Sequence, residues 1–516
     1  MRRKIRKYFV PVLFMTCSML TACGLGKTEL SGGSYSNDTR HIAAVIEKED
    51  IRKLDSLKNL KTADLSGSCC YEEIIEWEKA HPDVYVHYTA EFPDGTVADS
   101  HAESISVSIS PENIDAAAAQ LQYLPRLREV KLTGSDDKTV FDALQSFSGA
   151  RPDVHFDCSF ELGGRKVSTS GKKINMTGCT YGELKKLRKV LPAMYNLKTV
   201  DLGSDEESPK VDFEMIKSLQ ELRPDVKFLF DFMLYDREVS LGDKSLDLSY
   251  TTIRDEGELV RQVISCMPEL EYLDMDSSGV SDEAMASIRD DFPDVKVVWR
   301  VWFGDNYTVR TDVERILASR PSVAGTILTS NAGALKYCTE VKYLDIGHND
   351  LLDDISFISY MPKLEVAILA MGCWSDTSPI ADCPELEYLE IQTTQLTDLR
   401  PLAGLKKLKH LNICYLYDLE DITPLYGLTQ LERLWIGCID PVPKEQIREM
   451  QRRAPQCEIN TTTYDPTEGG WRYVTDTPDG LAPRYSLLRK QFGYDRGNMA
   501  FAFPWNDPKC RYFYKQ

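Results

Sequence analysis

His410 and Cys414 lie four residues apart in a short alternating stretch, and Cys with His is the pairing from which a thiolate nucleophile is built. Four residues along a strand return a side chain to the same face, so the spacing permits contact, and it equally suits two ordinary surface residues. A reactive thiol also needs a polarised setting, and no motif supplies one. Gly-x-Ser-x-Gly, His-Glu-x-x-His, a phosphate loop and Gly-x-Gly-x-x-Gly are all missing from the sequence. The acid pairs Asp136-Asp137, Asp290-Asp291 and Asp353-Asp354 follow neither EF-hand spacing nor a Gly-Gly-x-Gly-x-Asp run, so they read as solvated loop acids rather than calcium ligands. There is no Cys-x-x-Cys and the 7 histidines are scattered, so neither metal nor cofactor is expected. The residue types point to binding rather than catalysis.

Binding residues need a frame, and the frame is a repeated phrase: Val341 to Ile346, Leu364 to Leu369, Leu386 to Ile391, Leu408 to Ile413 and Leu431 to Ile436. It recurs after 23, 22, 22 and 23 residues, with apolar side chains at places 1, 4 and 6. Between phrases come Asp-Leu-Arg-Pro-Leu (398–402) and Asp-Ile-Thr-Pro-Leu (421–425). This pattern resembles the leucine-rich repeat, and the inserts resemble those of bacterial internalin-type surface proteins. Places 4 and 6 alternate inward on a short strand, so places 3 and 5 line the concave side, in columns about 4.8 Å apart from turn to turn. Place 3 holds Tyr343, Val366, Tyr388, His410 and Arg433, and place 5 holds Asp345, Ile368, Glu390, Asn412 and Trp435. Tyr, Trp and Arg interspersed with acids is the composition of a protein-binding face. The resemblance implies the same use, with Tyr343, Asp345, Tyr388, Glu390, His410, Asn412, Arg433 and Trp435 as the contact residues.

Upstream, from 42 to 340, the phrase returns at Leu60, Leu127, Leu197 and Leu270, spaced 67, 70 and 73 residues. Pro-Asp-Val at 82, 152, 224 and 293 keeps the same long period. Each long unit splits into three strand-like segments with helical connections. In the second these are Ile105 to Ile109, a helix opened by Ser110 and Pro111, Leu127 to Leu132, a helix over 139–148, and Val154 to Leu162, with a turn at Gly163-Gly164. Three turns in about 70 residues match the short period, so the expected architecture is α/β: a leucine-rich-repeat-like solenoid of stacked parallel strands, with helical crossovers and projecting hairpins.

The ends differ. Arg2, Arg3, Lys4, Arg6 and Lys7 precede an apolar run, Tyr8 to Leu20, that is too short to span a bilayer, and Leu20-Thr21-Ala22-Cys23 resembles a bacterial lipobox. The resemblance implies a signal peptide over 1–22 and acylation of Cys23, such as by palmitate, anchoring the chain on the outer face of the cell membrane. The Gly- and Ser-rich stretch after it marks 23–41 as a flexible tether. Residues 461–516 carry no phrase and are rich in Trp, Tyr, Phe and Pro, which suits a cap on the end of the coil or an aromatic patch for wall polymer. Short repeats fill 341–460. Of the 14 cysteines, the twelve outside the signal segment read mostly as buried thiols, with one or two bridges. A net charge of −19 excludes nucleic acid as a partner, leaving a protein on the envelope or a host cell, and the membrane through the anchor.

Overall fold

The computed structural model describes residues 26–208, 211–305, 307–319, 326–461, 470–472, 480, 482, 484–492 and 510–512. Residues 1–25, with Cys23 and the basic and apolar segments before it, lie outside them. The chain forms two compact units, Met1–Phe230 and Asp231–Gln516. The change of repeat length at 340/341 falls within the second.

In the first unit the phrase strand of each long repeat is hydrogen-bonded to a strand before it, in parallel, and to one after it. Thr62–Asp64 sits between His41–Ala43 and Tyr85–His87, and Glu129–Gly134 between Ser104–Ile109 and His155–Asp157. Lys173–Asn175 begins the third set beside Thr199–Ser204. The register stacks Ile42, Ala63 and Val86, all buried, which is the inward column that the repeat requires. Amphipathic helices Tyr71–Ala80, Asp137–Ala150, Tyr181–Val190 and Phe213–Leu222 close the turns. Asp136, Thr180 and Asp212 cap three of them, each accepting from an N–H three residues on. The helix after Ser110 starts later than expected, at Ile114. Asn113 takes the cap position, and its Oδ1 accepts from Ser110 N at 2.8 Å.

The segment after each Pro-Asp-Val leaves the parallel stack to make a hairpin, and a hydroxyl decides how sharply. In the first, second and fourth repeats the ladder breaks at Tyr88, Cys158 and Trp299. There the backbone N–H is taken by Ser100 Oγ at 3.2 Å, Thr169 Oγ1 at 3.0 Å and Thr311 Oγ1 at 3.2 Å. In the third repeat Leu241 stands where those hydroxyls stand, and the strand runs unbroken from Lys227 to Leu234. The hairpin predicted at Gly163-Gly164 is present, Ser159–Leu162 against Arg165–Ser168, with both glycines at positive φ.

In the second unit, Ser245–Asp247, Tyr272–Asp274 and Lys296–Val298 form one more parallel set, followed by the hairpin Arg300–Phe303 and Tyr307–Arg310. Seven parallel strands then run without interruption: Arg315–Leu317, Tyr343–Asp345, Val366–Ile368, Tyr388–Glu390, His410–Asn412, Arg433–Trp435 and Glu458–Asn460. Each phrase strand ends in a left-handed residue at place 8: His348, Met371, Thr393, Tyr415 and Cys438, with φ between 56 and 66°. The N–H of the first four donates to a carbonyl of the next turn, at 2.9 to 3.1 Å, so the corner is held by stacking rather than by glycine. The return segments are short 3-10 turns, 356–360, 378–382, 400–404 and 423–427. Asp354, Asp376, Asp398 and Asp421 each accept from the N–H two residues on at 2.8 Å, which is why the inserts begin with Asp. Each unit is a leucine-rich-repeat-like solenoid.

Two expectations about chain organisation change. The stretch marked as a flexible tether is folded from residue 27: Lys27–Leu30 pairs antiparallel with Gly33–Ser36, and Thr28 and Leu30 are buried. The buried Asp50 carboxylate accepts from Ser31 N at 2.8 Å and Glu47 N at 3.2 Å, tying the hairpin to the first repeat. Cys69, Cys70, Cys158, Cys179, Cys373, Cys383, Cys414, Cys438 and Cys457 are free thiols, so the one or two bridges expected do not involve them, and burial pushes Cys158, Cys383 and Cys457 up to about 12.

Candidate functional site

The eight residues singled out from the phrases do stand in two columns. Tyr343, Val366, Tyr388, His410 and Arg433 are register partners in turn, as are Asp345, Ile368, Glu390, Asn412 and Trp435. They do not form an open face. Tyr343 is half-buried and the other seven are buried, because the chain's own C-terminal segment lies over them. Trp471, Ala482 and the inner side of helix Tyr485–Phe492 (Tyr485, Leu488, Phe492) join Leu317, Val366, Ile368, Tyr388, Cys414 and Trp435 in one hydrophobic cluster. The tail was expected to cap the end of the coil. Of its described part, Trp471, Ala482 and the helix cover the strand face and bury the Tyr, Val, Ile and Trp side chains there, and Cys510–Tyr512 pairs antiparallel with Tyr307–Val309 of the hairpin.

Trp471 is the centre of the contact. Its ring lies 5.4 Å from Tyr388, 5.3 Å from Trp435 and 6.2 Å from His410. The Arg433 guanidinium sits 4.3 Å from the Trp435 ring and 5.2 Å from the Trp471 ring. The same guanidinium donates through Nη1 to Trp471 O at 3.0 Å and through Nη2 to Gly470 O. Strand residues therefore hold both the side chain and the backbone of the tail, as a receptor holds a peptide.

Glu390, fully buried, organises the polar half. Its Oε1 accepts from Tyr388 OH at 2.5 Å and Trp471 Nε1 at 2.9 Å, and its Oε2 from Arg472 Nη2 at 2.6 Å and Gln392 Nε2 at 3.1 Å. Burial alone would push this carboxyl up, but the Arg472 guanidinium and the hydrogen bonds outweigh it and hold the group below the usual carboxylate range. A second ion pair, Arg484 with Glu387, ties the start of the helix to the beginning of the same strand, Tyr388–Glu390.

The fit is incomplete. Among the described residues, Gln392 Oε1, His410 Nδ1, Asn412 Nδ2 and Trp435 Nε1 on the strand face are buried without a hydrogen-bond partner, as are Arg472 Nε and Arg484 Nε on the tail. An unmet buried polar group costs about 1–3 kcal/mol.

The His410 and Cys414 pair is not an activated nucleophile. Burial pushes the thiol up to about 11, and burial with the cations Arg433, Arg484 and Lys409 pushes the imidazole down to about 3, so both are neutral at physiological pH. The Cys414 sulfur accepts from Gly437 N at 3.3 Å instead. The histidine also makes a testable device, since its folded value lies below its unfolded one of about 6.5. The unfolded chain therefore binds the extra proton, and stability present above pH 6.5 is lost as pH falls towards 3. Between pH 6.5 and 4.5 the loss is about 2–3 kcal/mol at about 1.4 kcal/mol per pH unit. Denaturation midpoints of the natural chain and of His410→Gln across that range measure it, and equal slopes for the two would refute it.

Asn349, which sequence reasoning passed over, stands at place 9 of its phrase and is buried. Its Nδ2 donates to Ala318 O at 2.9 Å and Ile346 O at 2.7 Å, and its Oδ1 accepts from Ile327 N at 3.1 Å, which joins adjacent turns. Trp471 reads from the sequence only as one of the tail aromatics, and Arg472 was missed, as no period ties either to the strand face. Of the acid pairs expected in loops, Asp136 and Asp354 accept backbone N–H groups as cap and turn residues, whereas Asp290-Asp291 ends the helix Asp282–Asp291; among the described residues no three His, Cys, Asp or Glu converge on a metal site. Tail aromatics Trp471, Tyr485 and Phe492 are buried and present no ring face to a sugar; Tyr473, Tyr494, Phe501, Phe503 and Trp505 lie outside the described residues. No described helix is long and apolar enough to cross a membrane.

No family model and no curated protein matches the chain. Solved structures do. Internalin F of Listeria monocytogenes is 16% identical, covering 72% of this chain and 87% of its own, with a TM-score of 0.24. A leucine-rich-repeat protein of Leptospira interrogans is 16% identical over 79% of this chain and 91% of its own, at a TM-score of 0.22. Internalin C2 of Listeria monocytogenes is also 16% identical, over 50% and 80%, at 0.21. The fold assignment stands on the strand register described above.

Proposed function

We propose that the chain is a non-catalytic, lipid-anchored protein of the outer cell surface that binds protein ligands on the inner strand face of its second unit. The observation that carries this reading is the way that face holds residues 470–472 and 484–492: an aromatic cage around Trp471, a buried carboxylate on Arg472, and an arginine on the peptide carbonyls. These are the parts of a peptide-recognition site, with a buried aromatic and arginine at its centre. Cys23, behind its basic and apolar segment, supplies the anchor in this reading, and the partner is a protein of the envelope or of a host cell.

Site-specific photo-crosslinking tests it. A benzophenone amino acid replaces Glu432, an exposed residue 3.6 Å from the buried His410, or Tyr360, an exposed residue on a return turn. The same discrete surface protein trapped from position 432 and not from 360, on intact cells, is the expected result. Equal trapping from both positions, or none from 432, removes the strand face as the binding site. Loss of metabolic palmitate label in Cys23→Ser checks the anchor in the same cells.

A further inference from the structure

We infer that residues 470–472 and 484–492 act as an intramolecular ligand, and that the strand face of the second unit recognises, in a partner polypeptide, an aromatic residue followed directly by arginine. This rests on the binding-face reading above and adds the partner's chemistry and a gate. Three observations converge. The buried Glu390 carboxylate has one oxygen on the Trp471 indole N–H and the other on the Arg472 guanidinium, so it reads two adjacent side chains at once. Arg433 donates to the carbonyls of Gly470 and Trp471, which fixes the direction and depth of the backbone whatever the flanking sequence. The unmet Gln392, His410, Asn412 and Trp435 groups lie on the receiving side, where the chain's own segment offers them nothing.

A ligand tethered to its own receptor competes at high effective concentration, so a free partner binds only by out-contacting it. The unmet groups are the means. A partner segment that places an acceptor on Trp435 Nε1 and Asn412 Nδ2, and a donor on Gln392 Oε1, keeps the aromatic and arginine contacts and gains the rest. The geometry thus describes a closed receptor that opens to a better-matched copy of what it already holds. The site favours arginine over lysine, because the guanidinium reaches Glu390 Oε2 through Nη2 while its centre lies 5.7 Å from the Tyr485 ring centre, and an ammonium is a more hydrated point charge.

The test uses the full chain and, as probe, a fluorescein-labelled peptide of residues 468–492, read by anisotropy. The expected result is binding to Arg472→Ala about tenfold or more tighter than to the natural chain, because the tethered competitor is weakened. Adding Glu390→Gln to Arg472→Ala should lower that affinity about tenfold again, and a peptide with lysine for its arginine should bind the Arg472→Ala chain more weakly than the unaltered peptide. Equal binding to natural chain and variant, or no binding to a variant whose circular dichroism is native, overturns the inference. Should Arg472→Ala not fold, hydrogen exchange of 485–492 in the natural chain decides: faster exchange under excess peptide supports displacement, and unchanged exchange overturns it. Crosslinking at 432 fails independently. Peptide exchange without a cellular partner keeps the intramolecular ligand and removes the surface-receptor reading, whereas a trapped partner without peptide exchange does the reverse.

Discussion

Glu390→Ala should destabilise the second unit by about 3–5 kcal/mol, or release its C-terminal segment, because it leaves the buried Arg472 charge without its partner. The same change strips the acceptor from Tyr388 OH, Trp471 Nε1 and Gln392 Nε2, all of which converge on this one carboxylate. Glu390→Gln keeps the shape and one acceptor, loses only the charge-assisted part, and should cost about 1.5–3 kcal/mol. Two readouts separate the routes. Chemical denaturation measures the stability, and limited proteolysis reports the tail: cleavage near 470 in Glu390→Ala but not in the natural chain means that the segment has lifted. Arg472→Met combined with Glu390→Gln should cost less than the sum of the two single changes, as residues sharing one contact couple. Full additivity, or a natural-like stability for Glu390→Ala, would show that the carboxylate is not the anchor.

The second large effect belongs to the base of the hairpin in the same unit. Asp276 Oδ1 accepts from Arg300 Nε at 2.9 Å and Oδ2 from Arg300 Nη2 at 2.7 Å, with both side chains 3% exposed. Arg310 Nη1 bridges to Asp276 Oδ2 at 3.2 Å and Asp274 Oδ2 at 2.9 Å, and its Nη2 reaches Tyr272 OH at 2.9 Å. Tyr272 and Asp274 hold places 3 and 5 of their phrase, so here too the inner strand face is covered by another part of the chain. Asp276→Ala takes both carboxylate contacts from the buried Arg300 and one from Arg310, which keeps Asp274 and Asp312, and should cost about 3–5 kcal/mol. The matched control is Arg400→Ala. Arg400 grips Asp398 with the same two-pronged geometry, Nε to Oδ1 at 3.0 Å and Nη2 to Oδ2 at 2.7 Å, but its side chain is 82% exposed. Solvent already does what the pair does, and no measurable change is expected. Similar losses at both sites would mean that geometry rather than burial sets the strength of these pairs.

How much of this is legible in the residues alone follows from range. The phrase repeats because each turn stacks its apolar places on the next, so inward and outward columns, the Asp that opens each insert, and the α/β solenoid all show in a local period. The hairpins show as well, from Gly163-Gly164 and the alternation before it. The break at Tyr88, Cys158 and Trp299 was beyond reach: it depends on hydroxyls 11 or 12 residues further on, and one Leu in that place changes a broken strand to a continuous one. The hairpin over 27–36 was hidden because Gly and Ser read as tether until Thr28 and Leu30 are seen to bury.

The candidate site divides in the same way. Strand periodicity placed Tyr388, Glu390, His410, Asn412, Arg433 and Trp435 on one face, because alternation along a strand and stacking between turns are short-range and obligatory. That the face is occupied, and by what, rests on Trp471 and Arg472 reaching Glu390 across 81 and 82 residues. No period links them, and the pairing exists only because the coil brings one buried carboxylate, an aromatic cage and an arginine into a single pocket where an indole and a guanidinium can be desolvated together.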